Sequence, residues 1–243
     1  MIDQFGRRVE YLRVSVTDKC NLRCIYCMPL EGLTWLKRDE LLNYEEIETV
    51  VRTMAGMGLR RVRITGGEPL IRRDLPDLIR KISAIPEIED LSLSTNAVLL
   101  ADQAQDLRDA GIQRLNISLD SLQQDRVDEI ARRPGSFPKI FEGLEAAERV
   151  GFSPIKVNVV LIRGRNDDEI EDFARITKER PWHIRFIEVM PTGSNLDLSA
   201  NSFVSCQEAL ARVRAIDQLE PVDGPFGNGP ADYYRFPGAP GTV

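Results

Sequence analysis

The strongest constraint on the fold is a regular alternation of short β-rich segments and helical segments along most of the chain. The β-rich segments lie at about residues 10–16, 61–65, 91–95, 114–119, 155–162 and 184–190. Helical patterns lie between them, at about residues 44–57, 74–84, 102–110, 121–131, 137–150 and 167–179. Strands that alternate with helices form right-handed βαβ units, so the pattern predicts an α/β fold with a parallel sheet.

The strict order of strand and then helix favours a partial TIM-type (β/α)6 open barrel, and a doubly wound sheet is the alternative. We assign residues 1–195 to this core and residues 196–243 to the start of a C-terminal region. A helix near residues 205–215 is expected there, followed by a Gly/Pro-rich tail that reads as irregular. Within the core, Asp74 is a predicted helix N-cap, and Gly111 and Gly151 are predicted C-caps.

Composition and charge restrict the class of protein. No apolar run approaches the roughly 20 residues that a membrane-spanning helix needs, and the N-terminus lacks the layout of a signal peptide. These features predict a cytoplasmic protein without a membrane partner. The net charge of −6 argues against a general nucleic-acid surface. In a reducing compartment, clustered cysteines typically bind metal or act in catalysis.

Polar side chains share one face of each predicted strand, because successive residues of a strand point to opposite sides. This face carries Arg13, Arg61, Arg63, Ser92, Ser94, Asn116, Ser118, Lys156 and Asn158, with Arg185 as a further candidate. If helices cover the apolar face, the polar face lies inside, where unpaired charge is costly. The pattern therefore predicts a polar, anionic ligand on this face. The alternative is an antiparallel sheet with one solvated side.

Three cysteines, Cys20, Cys24 and Cys27, lie in the segment "TDKCNLRCIYCMP", directly after the first predicted strand. A disulfide scaffold does not suit a cytosolic chain with only four cysteines. A structural zinc site would want a fourth ligand nearby, whereas His183 is distant and is interpreted as a structural or surface residue. Cys206 is interpreted as a small packed hydrophobe at a helix start. The remaining interpretation is an iron–sulfur cluster that three thiolates hold, with one iron left open for a substrate or cofactor.

The spacing Cys20-Asn-Leu-Arg-Cys24-Ile-Tyr26-Cys27 resembles the signature of the radical S-adenosylmethionine (SAM) superfamily. A second stretch, "TGGEP" at Thr65–Pro69, resembles the glycine-rich motif of that superfamily. Together with "AGIQRLNISLDSL", "KVNVVLIRGRNDDEI" and "IRFIEVMPTG", these segments resemble the GTP 3',8-cyclase family of molybdenum-cofactor biosynthesis. The resemblance covers nearly the whole chain.

The resemblance implies a role for individual residues. Cys20, Cys24 and Cys27 would bind a [4Fe–4S] cluster whose fourth iron takes SAM. The implied substrate ligands are Arg13, Arg63, Ser94, Lys156 and Arg185, and the implied SAM-binding residues are Tyr26, Gly67, Ser118 and Met190. The family usually has Thr at the position of Ser94, and the hydroxyl is retained. No side chain is assigned a catalytic role beyond the cluster and SAM.

The implied activity is that of a radical SAM lyase, which converts GTP into (8S)-3',8-cyclo-7,8-dihydroguanosine 5'-triphosphate by way of a 5'-deoxyadenosyl radical. The family holds a second [4Fe–4S] cluster in a C-terminal segment that is not among these 243 residues, so we expect one cluster and impaired handling of GTP. A flavodoxin- or ferredoxin-type reductant is the implied partner, and a homodimer is a candidate assembly. The alternatives are a radical SAM enzyme that modifies a peptide, and a non-catalytic cyclase remnant.

Overall fold

The computed structural model describes residues 2–29, 31–190, 202–222 and 231–243. Its strands and helices follow the predicted alternation, with ends that differ from the prediction by a few residues. In chain order they are β1 (Tyr11–Ser15), α1 (Tyr44–Gly56), β2 (Arg61–Thr65), α2 (Leu75–Ser83), β3 (Asp90–Thr95), α3 (Leu100–Ala110), β4 (Arg114–Ser118), α4 (Gln124–Ala131), α5 (Ser136–Arg149), β5 (Ile155–Leu161), α6 (Ile170–Ile176), β6 (Trp182–Glu188), α7 (Cys206–Arg214), β7 (Glu220–Val222) and β8 (Tyr233–Arg235).

The first six strands form one sheet in the order β1-β2-β3-β4-β5-β6. The pairs β1–β2, β2–β3 and β5–β6 are parallel. Strand order equals chain order and leaves β1 and β6 at the two ends, so the predicted α/β class with an open (β/α)6 arrangement is confirmed. The antiparallel alternative is wrong. The short strands β7 and β8 pair in an antiparallel manner. Strand β8 lies within the tail that the sequence predicts to be irregular, so that prediction is wrong for Tyr233–Arg235.

The chain divides into two compact units. The first unit comprises Met1–Asn21, Thr34–Asn116 and Phe141–Ser153, and the second comprises Leu22–Leu33, Ile117–Ile140 and Pro154–Val243. The predicted boundary at residue 195 falls in the segment 191–201, outside the described residues, and stays a prediction. Within the described ranges, none of the helices is both long and apolar enough to cross a membrane.

The first unit has its core between its strands and the helices that follow them. Val62 and Ile64 of β2 are fully buried on the face opposite to Arg61 and Arg63, as the alternation predicts. Helix α1 begins at a reciprocal cap, since the Asn43 side chain accepts from the backbone N–H of Glu46 and the Glu46 carboxylate accepts from the backbone N–H of Asn43. The buried residues of α1 are Ile47, Val51 and Ala55, which recur at helical spacing.

The second unit has its core on the apolar face of β5 and β6. Val157, Val159 and Ile184 are fully buried there, and each such side chain contributes about 1.5–3 kcal/mol when it leaves water. Helix α7 packs on α6 and on β6. Its N-cap is Ser205, whose hydroxyl accepts from the backbone N–H of Glu208.

The predicted caps are confirmed in part. Gly111 and Gly151 follow α3 and α5 with φ of 120° and 79°, a backbone region that side-chain-bearing residues rarely adopt. Asp74 occupies the N-cap position of α2, but its side chain makes no capping hydrogen bond and its backbone is left-handed with φ of 57°. The capping role predicted for the Asp74 carboxylate is therefore wrong.

Candidate active site

The residues before Cys20 are held by the chain that follows β2. The backbone N–H of Gly67 donates to the carbonyl of Thr17 at 2.7 Å, and that of Glu68 donates to the carbonyl of Lys19 at 2.8 Å. A Cβ on Gly67 would lie 2.2 Å from the oxygen of Lys19, so only glycine permits this approach. The glycine-rich motif therefore fixes the position of the backbone that leads to the first cysteine.

Glu68 joins this turn to the end of β3. Its carboxylate accepts hydrogen bonds from the Thr95 hydroxyl at 2.7 Å, the backbone N–H of Asn96 at 2.7 Å and the backbone N–H of Leu70 at 3.0 Å. The side chain is buried, and burial raises its pKa to about 7, against the opposing effect of these hydrogen bonds. Both carboxylate oxygens are used within the first unit.

Asn96 directly contacts the first cysteine. Its side-chain amide lies 3.8 Å from the sulfur of Cys20 and donates to the side-chain oxygen of Asn21 at 2.7 Å. Its own side-chain oxygen accepts from the backbone N–H of Val98 at 3.1 Å, which fixes the orientation of the amide. N–H donors beside a ligating sulfur are among the groups that tune iron–sulfur centres. Reasoning from the sequence missed the role of Asn96.

The predicted substrate residues of the first unit lie on the polar face of neighbouring strands. Arg13 and Arg63 are register partners in β1 and β2, and Arg13 is exposed. The guanidinium of Arg63 lies 5.3 Å from the centre of the Tyr11 ring, and its Nε donates to the Ser92 hydroxyl at 3.5 Å. Ser94 is half-buried on β3. The two arginines thus present positive charge on one face.

Cys24 and Cys27 lie at either end of a tight turn in the second unit. The backbone N–H groups of Cys27 and Met28 donate to the carbonyl of Cys24, at 2.9 Å and 3.0 Å. The backbone N–H of Ile25 donates to the carbonyl of Ile130 at 2.9 Å, which ties the turn to α4. Neither cysteine forms a disulfide, and Cys27 is exposed.

Tyr26, the residue between these cysteines, is bound to a buried carboxylate. Its hydroxyl donates to Asp120 at 2.8 Å, and the other oxygen of Asp120 accepts from the backbone N–H of Val160 at 2.9 Å. Burial raises the pKa of Asp120 to about 6, while these two hydrogen bonds oppose the rise. Burial and the nearby Asp120 charge raise the pKa of Tyr26 well above its usual value. The sequence predicted a SAM contact for Tyr26 and missed this partner.

The predicted substrate residues of the second unit lie on the polar face of β5 and β6. Lys156 is only 2% exposed, and its ammonium donates to the Tyr233 hydroxyl at 3.3 Å. Arg185 donates from its Nε and Nη2 to the side-chain oxygen of Asn158, at 2.9 Å and 2.6 Å. Asn158 and Arg185 are register partners. A buried cation and a second, positioned guanidinium thus face the same side.

The structure confirms the interpretation of His183 and contradicts that of Cys206. The buried His183 ring shares a 2.8 Å hydrogen bond with the Thr242 hydroxyl, which agrees with the structural interpretation. Cys206 is the first residue of α7 and is exposed, so the interpretation as a packed hydrophobe is wrong. Its sulfur lies 3.7 Å from the carbonyl oxygen of Phe186.

The remaining predicted SAM-binding residues have different exposures. Gly67 is exposed beyond β2, Ser118 is half-buried at the end of β4, and Met190 is 64% exposed just after β6. The ends of parallel strands are where α/β folds place their ligands. All three therefore occupy positions that suit ligand contact, and their SAM contacts stay predictions.

The cysteines fit an iron–sulfur cluster by donor chemistry. Cys20, Cys24 and Cys27 form no disulfide, and three thiolates are the ligand set for such a cluster. Among the residues that the structure describes, no three His, Cys, Asp or Glu side chains converge as a metal-binding group. Binding of a metal and ordering of its ligands are coupled. The assignment of the cluster to these cysteines therefore rests on their thiols, on the turn at Cys24 and on the Asn96 amide beside Cys20.

Comparison with known proteins gives one consistent result. Residues 14–176 match the radical SAM superfamily. The chain is 48% identical to the GTP 3',8-cyclase of Pelotomaculum thermopropionicum, over 100% of this chain and 75% of that protein. It is 50% identical to the GTP 3',8-cyclase of Listeria monocytogenes, over 99% of this chain and 72% of that protein.

The chain belongs to the GTP 3',8-cyclase family of the radical SAM superfamily. The family implies a [4Fe–4S] cluster and SAM. Among solved structures, methylornithine synthase (PylB) has a TM-score of 0.62 at 15% identity, with 86% of this chain and 63% of that one covered. That likeness supports the radical SAM fold alone. The chain thus spans about three quarters of the length of these cyclase relatives.

Proposed function

We propose that the chain acts as a GTP 3',8-cyclase, a lyase that joins C3' of the ribose of GTP to C8 of its guanine. The single observation that carries the proposal is the 48% identity with a GTP 3',8-cyclase over the whole chain. The cationic polar faces of the strands support it, because positive charge and the paired N–H donors of arginine guanidinium groups bind the oxygens of a triphosphate.

The protein's own residues would bind and orient the reactants. The residues proposed to hold the substrate are Arg13, Arg63, Ser94, Lys156 and Arg185. When bound, the cluster and SAM would supply a carbon-centred radical able to remove a hydrogen atom from the substrate. Holding GTP in a fixed pose then selects which hydrogen is removed, which is an effect of orientation rather than of acid–base chemistry.

The SAM site is proposed at the strand ends, with Tyr26, Gly67, Ser118 and Met190 as contacts. The hydrogen bond from Tyr26 to Asp120 supports this arrangement, because it fixes the side chain of a residue that lies between Cys24 and Cys27 in the sequence. We propose that Cys20, Cys24 and Cys27 bind one [4Fe–4S] cluster. A flavodoxin- or ferredoxin-type reductant, a cytoplasmic location and a homodimer complete the proposal.

Anaerobic reconstitution with iron and sulfide, followed by incubation with SAM, dithionite and GTP, tests the function. We expect about four irons per chain, formation of 5'-deoxyadenosine and only a small amount of a cyclised product of GTP on mass analysis, because these residues are expected to handle GTP poorly. The matched control is the variant with Cys20, Cys24 and Cys27 all changed to Ala, which should lose the iron. Iron retained in that variant would refute the cluster assignment. Cleavage of SAM without a GTP-derived product would instead favour a different substrate, such as a peptide.

A further inference from the structure

The last residues of the chain extend the sheet beyond β6. The backbone N–H of Ile184 donates to the carbonyl of Thr242 at 2.9 Å, and the N–H of Thr242 donates to the carbonyl of Trp182 at 3.1 Å. Val243 exchanges two hydrogen bonds of 2.8 Å with Tyr234 of β8. Strand β8 is therefore separated from β6 by this short segment alone.

The extension adds two side chains to the polar face. Tyr233 and Arg235 point to the same side of β8, because residues two apart on a strand share a face. The hydrogen bond from Lys156 to the Tyr233 hydroxyl identifies that side as the one that carries Lys156. Tyr234 points to the opposite side, where the guanidinium of Arg214 lies 5.4 Å from the centre of its ring.

The environment on this face is strongly positive. The pKa of His183 is lowered to about 4, first by burial and then by the charges of Lys156, Arg235 and Arg185. The imidazole is thus neutral at pH 7 and adds no further charge. Three cations acting on one buried ring form an arrangement that an anion would stabilise.

Arg235 carries the observation that points to a ligand. Its Nε atom is buried, and within the described residues it has no hydrogen-bond partner. A buried guanidinium N–H without an acceptor is costly, and a phosphate oxygen is the acceptor that arginine recognises best. The hydroxyl of Tyr233, in turn, positions the ammonium of Lys156 beside it.

We propose that Arg235 is a further ligand of the substrate triphosphate, alongside Lys156. The inference rests on the proposed cyclase function, since it takes GTP as the ligand. Phosphate oxygens would accept from Nε of Arg235 and from the ammonium of Lys156. Tyr233 is a positioning residue, which acts through Lys156 and needs no contact with the nucleotide.

Equilibrium binding to the cluster-loaded chain tests the proposal, with GTP and guanosine as probes. We expect Arg235→Gln to weaken GTP binding by about tenfold or more and to change guanosine binding by less than about twofold. Arg214→Gln is the matched control, because it makes the same charge change in helix α7, beside Tyr234 on the opposite side of β8. It should leave both affinities as in the unaltered chain.

The outcomes separate this inference from the proposed function. If the unaltered chain binds GTP no more tightly than guanosine, the substrate assignment fails and the inference fails with it. If it prefers GTP and Arg235→Gln shows the same preference, the inference alone is overturned. A thermal melt checks that each variant is folded. If Arg235→Gln does not fold, Arg235→Lys is used instead, since it keeps one positive charge but loses Nε. Unchanged GTP affinity in that variant would refute the role of Arg235 as a ligand of the triphosphate.

Discussion

Replacing Gly67 with alanine offers a sharp test of how the cysteine segment is held. The added Cβ would lie 2.2 Å from the oxygen of Lys19, 2.5 Å from its carbonyl carbon and 2.6 Å from the oxygen of Asp18. These are backbone atoms, so no side-chain rotation can relieve the overlap. Either the turn after β2 or the segment that leads to Cys20 must move.

The magnitude follows from the contacts that such a movement would break. The hydrogen bonds from Gly67 to Thr17 at 2.7 Å and from Glu68 to Lys19 at 2.8 Å tie the two segments together. Each contributes about 1 kcal/mol, and overpacking adds about 1–3 kcal/mol, which gives a loss of roughly 3–5 kcal/mol in the free energy of unfolding. If the cysteine segment moves instead, the loss appears as weaker iron binding.

Urea unfolding and iron content after anaerobic reconstitution measure the two results separately. Gly56→Ala is the matched control, because a Cβ at Gly56 meets nothing within 4 Å. That change should leave iron content unaltered and should keep or slightly raise stability, since alanine favours a helix by about 0.5–1 kcal/mol. A Gly67→Ala variant with the stability and iron content of the unaltered chain would refute the reasoning.

Three further predictions concern the buried polar groups. The pKa of Glu68 is raised from 4.5 to about 7 in the folded chain, so the free energy of unfolding should fall as pH rises through that interval, by up to about 3 kcal/mol. Urea unfolding should show that the free energies of unfolding of the unaltered chain and of Glu68→Gln differ by an amount that varies with pH over this range. A difference that stays constant with pH would contradict the raised pKa of Glu68. Asn96→Ala removes the amide beside Cys20 and should lower the reduction midpoint of the cluster, as followed by EPR during a redox titration. An unchanged midpoint would exclude that contact. Tyr26→Phe removes the hydrogen bond to Asp120 and should destabilise the chain at pH 8 by about 1–3 kcal/mol in urea unfolding, whereas equal midpoints would show that the bond contributes nothing.

The strands were predictable because their signal is local. Alternation within "RVRIT" places Val62 and Ile64 on one face and Arg61 and Arg63 on the other, and the structure has the same division. The glycines at 111 and 151 were likewise predictable, since their backbone angles are ones that glycine alone adopts easily. Features encoded within a few residues therefore needed no tertiary information.

The partners within the candidate site were not predictable in this way. Tyr26 and Asp120 are 94 residues apart, and Asn96 and Cys20 are 76 residues apart. No pattern in the sequence around one residue of either pair indicates its contact with the other. The pairing in the tail was missed for a related reason, since "YYR" is a strand of only three residues within a Gly/Pro-rich stretch. Its hydrogen-bond partners are β7 and Val243, which are not its neighbours in the sequence.

Glu68 shows how a motif can change meaning when its contacts are known. From sequence, a glutamate in "TGGEP" could be interpreted as support for a cation near the ligand. In the structure its carboxylate accepts three hydrogen bonds from the ends of β2 and β3, and Asn96, one of those donors, also contacts Cys20 through its side chain. The glutamate therefore acts on the first cysteine through Asn96. The segments "TDKC", "TGGEP" and "STN" look like separate motifs in the sequence, yet they form one hydrogen-bonded assembly, so a change in any of them should be felt at Cys20.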